Sequence, residues 1–178
     1  DLANVLGNLV NRTISMSNKY FEGYVNDKKV VGDVDQDLID TVTSAKRKVD
    51  VHMSNLKVAD AISEIFNVFK RCNKYVDETE PWALAKNEDS KDRLATVLYN
   101  LSEGIQIGAS LLEPFMPTTA RKIVSFFDSE LRKSEDLSTW GLYESGKKVV
   151  EKPEILFARM DAKKILEEVE NNKRKREG

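Results

Sequence analysis

The sequence predicts an all-α protein, an antiparallel helix bundle followed by a C-terminal extension and a final helix. Apolar residues recur at three- and four-residue steps in several long segments, the spacing of helices with one buried face. Short polar or proline-containing breaks separate these segments, which favours neighbouring antiparallel helices. With 178 residues, 40% of them hydrophobic, the chain is long enough for one domain with a single core.

Two helices are predicted in the first third of the chain. The first covers residues 1 to 21 and is ended by Gly23 and the polar residues after it. The second covers residues 35 to 53. Its carboxylates lie early and its cations late, the order that the helix macrodipole favours. The early carboxylates are Asp35, Asp37 and Asp40.

A third helix and a sharp corner are predicted next. Asn55 is expected to cap a helix that reaches Val76, with Ala59 and Ile62 on its buried face. Pro81 disfavours helical geometry at the residue before it and suits the first position of a new, short helix. Trp82 is therefore expected at a corner between helices.

The remaining helices are predicted from similar signals. A long helix over residues 94 to 112 is stopped by Pro114, and Thr118 is expected to cap a helix that runs to residue 127. Residues 1 to 128 are thus assigned to the bundle and residues 129 to 178 to the extension.

The extension carries a weaker pattern. Trp140, Gly141 and Gly146 indicate loops. Short extended segments are expected at Val149 and Val150 and over residues 155 to 157, and a final helix over residues 161 to 171. This last helix is expected to pack on the bundle or toward a domain outside this sequence.

Composition excludes most catalytic and metal-binding sites. His52 is the one histidine and Cys72 the one cysteine, which leaves no zinc-binding set and few nucleophile–base pairs. The scattered glycines form no phosphate-binding loop. No apolar run is long enough to span a membrane. We therefore predict no catalytic residues, no metal and no cofactor in this chain.

The first helix carries a polar stripe that could contact RNA. Asn4, Asn8 and Arg12 lie four residues apart, on one face opposite the apolar stripe. Asparagine amides and the arginine guanidinium can hydrogen-bond base edges. Because the net charge is −2, any RNA contact must be local. Spacing alone also allows a solvated helix surface here, as it allows core burial of Trp82 in place of stacking on an unpaired base.

Two motifs carry a resemblance to a known family. GNLVNR at residues 7 to 12 and DETEPWALAK at residues 77 to 86, with LATVLYNLSEGIQIGASLLEPFMP and LFARMD in order after them, are similar to the anticodon-binding domain of methionyl-tRNA synthetases. The resemblance covers nearly the whole chain. Ala158 and Met160 depart from the family, which commonly has Pro and Ile there.

The resemblance implies a role for five residues in RNA binding. It implies that Trp82 stacks on an anticodon base and that Asn8 and Arg12 contact base edges. Asn4 and Asp77 occupy positions near these and are weaker candidates; Asp77 could equally cap or orient the turn before Pro81.

The family further implies recognition of the CAU anticodon of methionine tRNA. The ATP-dependent attachment of methionine would then be catalysed by a domain absent from this sequence, which lacks the HIGH and KMSKS motifs. ATP, with zinc as a further candidate, would bind in that catalytic domain. The expected partners are methionine tRNA and the catalytic domain of the same polypeptide, with no DNA and no membrane, in the cytoplasm. Two alternatives stay open: the equivalent domain of another class I synthetase, or a helical protein-interaction bundle without RNA.

Overall fold

The computed structural model of the chain describes residues 2–154 and 161–177 and confirms the all-α fold. The helices in chain order are α1 (Leu2–Phe21), α2 (Asp35–Ser54), α3 (Val58–Thr79), α4 (Pro81–Leu84), α5 (Lys91–Leu112), α6 (Pro117–Phe126) and α7 (Asp161–Glu177). Short 3₁₀ turns lie at Glu88–Ser90 and Ser134–Asp136. Strands β1 (Tyr24–Val25) and β2 (Lys147–Lys148) pair antiparallel. No helix in the described ranges is both long and apolar enough to cross a membrane.

Three local predictions at helix starts are wrong. Asn55 ends α2, where its side chain donates to the Val51 carbonyl at 3.0 Å, and α3 begins after Lys57. A tight turn with Leu56 in the left-handed region (φ 58°) takes the place of a side-chain cap. Ala59 is exposed and is not among the residues that form the buried face of α3. Thr118 lies inside α6, which begins at Pro117 without a side-chain cap.

The extension differs from its prediction in one respect. Strand pairing falls on Lys147–Lys148, just before the predicted Val149 and Val150. Val150 instead bonds through its backbone N–H to the Phe126 carbonyl at 2.9 Å. The predicted segment at residues 155 to 157 and most of LFARMD lie outside the described residues. The final helix is confirmed and extends to Glu177; Asn172 donates to the Phe115 carbonyl at 3.2 Å.

Helix α5 is the centre of the bundle. All its residues from Leu94 to Leu112 are buried, so it is surrounded by other elements along most of its length. It packs against α3 closely because two glycines face that helix. A Cβ atom at Gly104 would lie 2.8 Å from Cys72 Sγ, and one at Gly108 would lie 2.5 Å from Phe69 Cε1.

We expect Gly108→Ala to destabilise the protein by about 1–3 kcal/mol, the usual cost of overpacking a core. The gain of roughly 1 kcal/mol that alanine normally brings to a helix is outweighed by the clash with the buried Phe69 ring. Urea unfolding followed by circular dichroism measures the change. In a Phe69→Leu background Gly108→Ala should destabilise the protein less, since the phenylalanine ring that the added methyl group would meet is absent. A stability gain from Gly108→Ala alone would contradict the close approach.

Two buried carboxylates connect the helices. Asp35 at the start of α2 accepts from both Nη atoms of Arg93 at 2.7 and 2.8 Å and from the Tyr75 hydroxyl at 2.6 Å. Glu103 on α5 is fully buried and accepts from both Nη atoms of Arg132 at 2.7 and 2.6 Å. These bidentate pairs join α2, α3 and α5 to each other and the extension to α5.

Candidate nucleic-acid interface

Helix α1 divides sharply into a buried and an exposed face. Leu6, Leu9, Val10 and Ile14 have no exposed surface, because their spacing places them on one side of the helix. The opposite side carries polar residues. Arg12 and Lys19 are the charged residues of this helix. An acid-free helix surface is a suitable place for RNA in a chain whose net charge is −2.

The corner between α3 and α4 fixes the position of Trp82. Glu80 adopts the left-handed conformation (φ 46°, ψ 66°), which ends α3. Pro81 then occupies the first position of α4 and is buried, so that its fixed φ and its packing hold the short helix. Trp82 follows directly and is 43% exposed. The indole is therefore accessible to a ligand and is not sealed in the core.

A concavity of about 350 Å³ lies between α1 and α4. Its lining residues are Asn11, Arg12, Ser15, Met16, Tyr20 and Trp82. This set combines apolar and aromatic surface with hydrogen-bonding groups and one cation. Among the described residues that line it, none is a carboxylate. Its volume is at the lower end of the range found for small-ligand sites, roughly 300–1,000 Å³.

The Arg12 guanidinium is paired at the edge of this concavity. Its Nη2 lies 3.7 Å from Asp77 Oδ1, and the side chains are 41% and 72% exposed. An exposed ion pair of this kind contributes only about 0–1 kcal/mol. The guanidinium can therefore be redirected to a ligand at little cost.

A hydrogen bond fixes α1 relative to α3. Asn73 Nδ2 donates to the Val5 carbonyl at 3.1 Å, which satisfies a carbonyl of α1 from the neighbouring helix. The same helix α3 leads directly into the corner that carries Trp82. The relative position of Arg12 and Trp82 is thus set by packed helices and not by a loop.

Neither remaining reactive side chain forms a second site. Burial raises the pKa of the Cys72 thiol to about 12, against a smaller opposing effect of the Arg71 charge, so the thiol stays protonated and unreactive. His52 Nε2 lies 3.4 Å from Glu64 Oε1 on the neighbouring helix. In the part of the chain that the structure describes, no group of three or more His, Cys, Asp or Glu residues could hold a metal ion.

Comparison with known proteins decides the family. Residues 25–176 match the family model described as the anticodon binding domain of methionyl tRNA ligase. The chain belongs to this family.

Relatives of this anticodon-binding domain are methionine–tRNA ligases. The chain is 45% identical to the enzyme of Clostridium acetobutylicum over 177 residues, which cover 99% of the chain and 27% of the relative. It is 42% identical to the enzyme of Caldanaerobacter subterraneus subsp. tengcongensis over 96% of the chain and 27% of that enzyme. The domain thus spans about a quarter of the length of these relatives and is homologous to part of a methionine–tRNA ligase.

Solved structures show the same fold. The apo form of Mycobacterium tuberculosis methionyl-tRNA synthetase matches with a TM-score of 0.80 and 28% identity, over 88% of this chain and 32% of that chain. The same enzyme in complex with methionyl-adenylate matches with a TM-score of 0.80 and 30% identity, over 89% of this chain and 31% of that chain.

Within this anticodon-binding domain, three of the five predicted RNA-binding residues lie together. Arg12 and Trp82 line one concavity, and Asp77 contacts Arg12. Asn8 and Asn4 are exposed on the same helix, about 6 and 12 Å along its axis from Arg12, and do not line the concavity. Their roles stay predictions.

Four lining residues were not predicted from the sequence. These are Asn11, Ser15, Met16 and Tyr20. The signal was available, because Met16 and Tyr20 continue the four-residue spacing from Arg12 and Ser15 follows Asn11 by the same step. Extending the polar stripe beyond Arg12 toward the end of α1 would have found them.

Proposed function

We propose that this domain binds the anticodon loop of methionine tRNA and recognises its CAU anticodon, as the tRNA-binding part of a methionyl-tRNA synthetase. The observation that carries this proposal is the exposed Trp82 indole beside the Arg12 guanidinium, in a concavity without a carboxylate among its lining residues. Unpaired bases in RNA loops are recognised by stacking on aromatic rings and by hydrogen bonds to their exposed edges. Trp82 supplies the ring, and Arg12 with Asn8 or Asn11 supplies the hydrogen-bonding groups.

The catalytic reaction is assigned to another part of the full-length protein. We propose that the ATP-dependent attachment of methionine takes place in a catalytic domain of the same polypeptide, which would bind ATP and, as a further candidate, zinc. This chain alone is then inactive. Residues 1–128 would form the RNA-binding bundle, and residues 129–178 an extension whose final helix packs on the bundle or toward the catalytic domain. Its unpaired Cys72 is consistent with action in the reducing cytoplasm.

A binding titration with a CAU anticodon stem-loop tests the proposal. We expect Trp82→Ala to weaken binding by about 1–3 kcal/mol, the usual contribution of one stacked base. A changed first anticodon base should cost about 1–3 kcal/mol in the wild type, since its hydrogen bonds are lost. Fluorescence anisotropy of a labelled stem-loop measures both changes.

The matched control is Leu56→Ala. Leu56 is 87% exposed and lies in the turn just before α3. That helix has 22 residues and is therefore about 33 Å long, and Trp82 follows its far end. Its removal should leave affinity unchanged. Equal affinity of wild type and Trp82→Ala for the CAU stem-loop would overturn the anticodon assignment. Stem-loops with other anticodons that bind as well as CAU would indicate the domain of another class I synthetase.

A further inference from the structure

The concavity beside Trp82 continues toward the end of α1, past the residues so far assigned to RNA. Tyr20 lines it from the last turn of α1, at the end of the helix away from Asn4 and Asn8. The Lys19 ammonium lies 5.5 Å from the centroid of the Tyr20 ring. An aromatic ring and a cation are thus adjacent at this edge of the concavity.

Lys19 is available to bind a phosphate. It is exposed, and none of the ion pairs found within the described part of the chain involves it. Its contact with the tyrosine ring is weak at an exposed site, so a phosphate can draw the ammonium away. Because α1 carries no carboxylate, no acidic group on this helix repels a phosphate there.

The distance along α1 indicates more than one nucleotide. Arg12 and Lys19 are seven residues apart, which is about 10.5 Å along the helix axis. Stacked nucleotides in one strand advance roughly 3.4 Å each. The two cations therefore delimit a length of about three nucleotides, and the concavity beside them is lined by one aromatic ring from α4 and one from α1.

We infer that Tyr20 and Lys19 form a second RNA-contacting pair, in which Tyr20 stacks on the nucleotide next to the one on Trp82 and Lys19 binds the intervening phosphate. This inference rests on the proposed function and adds a direction to it: the RNA strand runs along α1 from Arg12 toward Phe21. Met16, which lines the same concavity, gives the strand an apolar and polarizable surface to cross.

The stacking contact is tested with three substitutions at one position. We expect Tyr20→Ala to weaken binding of the CAU stem-loop about fivefold or more, the lower end of one base-stacking contact. Tyr20→Phe should bind like the wild type because it retains the ring. Tyr20 is partly buried against the core, so Tyr20→Leu, which keeps apolar volume without a ring, is measured as well and should weaken binding similarly at an unchanged midpoint of thermal unfolding.

Abasic stem-loops locate each ring on the RNA. The effect of Tyr20→Leu should vanish when one particular nucleotide has lost its base, and the effect of Trp82→Ala should vanish at the adjacent one. If both effects vanished at the same nucleotide, the rings would enclose a single base and the inference would be wrong. Weakening by Trp82→Ala without any weakening by the Tyr20 variants would also overturn it, while leaving the proposed function intact. Absent binding by the wild type would instead refute the proposed function.

The phosphate contact is tested by salt dependence. Lys19→Gln should reduce the slope of log affinity against log salt by about 0.7, the value for one phosphate of a single strand. Lys57→Gln removes the same charge from the exposed α2–α3 turn and should leave the slope unchanged. Equal slopes for wild type and Lys19→Gln, or equal reductions in both variants, would exclude a local phosphate contact.

Discussion

Replacing Arg132 with Met is expected to lower the free energy of unfolding by about 3–5 kcal/mol, the cost of leaving a buried charge without its partner. Glu103 has no exposed surface, and the Arg132 side chain is only 8% exposed. Once the guanidinium is removed, the donors that remain to the carboxylate within residues 2–154 and 161–177 are the backbone N–H groups of Gly141, Leu142 and Tyr143, at 2.8, 3.2 and 2.9 Å. Guanidinium chloride unfolding of both proteins measures the difference.

The control is Lys133→Met, next in sequence and exposed. It should change stability by no more than about 0.5 kcal/mol, as usual for the surface. Removing both charged partners should not restore wild-type stability, because the three backbone N–H groups would then have lost their acceptor. A cost below about 1 kcal/mol for Arg132→Met would contradict the dependence of Glu103 on its partner.

Asp35 is expected to make the protein sensitive to acid. Burial alone would raise its pKa, but hydrogen bonds from Arg93, Tyr75 and the Gly32 N–H, with the charge of Arg93, hold the pKa below its ordinary value. A carboxyl whose pKa is lowered in the folded state contributes its full stabilisation when the pH is above its unfolded-state pKa of about 3.9. That contribution is lost as the pH falls through the lowered folded value.

Comparison with Arg93→Met isolates this effect. At pH 7 the variant should be about 3 kcal/mol less stable, the low end for a buried pair, because the Arg93 side chain keeps 17% exposure. As the pH falls from 7 to about 3 the gap should narrow, because the loss of the Arg93 hydrogen bonds and charge leaves the pKa of Asp35 higher in the folded variant than in the folded wild type, so that the variant binds the proton first. Thermal unfolding across this range measures it. A gap that widened on acidification would show the opposite sign of linkage and would contradict the lowered pKa.

The helices could be predicted from the sequence because their signals are local. Apolar spacing located α1, α2 and α5, and Pro81 located the corner before Trp82. Side-chain caps are predicted for α3 and α6 but neither helix has one; the start of α6 is marked instead by Pro117 at its first position, the same signal as Pro81. Asn55 lies at the end of α2 and not at the predicted start of α3, because an asparagine suits both ends of a helix.

The long-range partners could not be predicted. From the sequence, the helix macrodipole alone explains the early carboxylates of α2, yet Asp35 is buried and its partner Arg93 lies 58 residues away. Glu103 was overlooked in an apolar segment for the same reason. The proximity of Arg12 and Trp82 also depends on how α1 packs beside the α3–α4 corner. Residue spacing along the sequence does not predict this packing, and the two residues are linked only by the family resemblance.

The two tryptophans of this chain lie in different environments. Trp82 is exposed beside the concavity, whereas Trp140 is partly buried against the core and precedes the backbone that Glu103 holds. Their intrinsic emission therefore reports on two separate events, ligand stacking at one indole and detachment of the extension at the other. A chain with one of them changed to phenylalanine keeps a single tryptophan, so tryptophan emission can follow binding and partial melting independently without an attached dye.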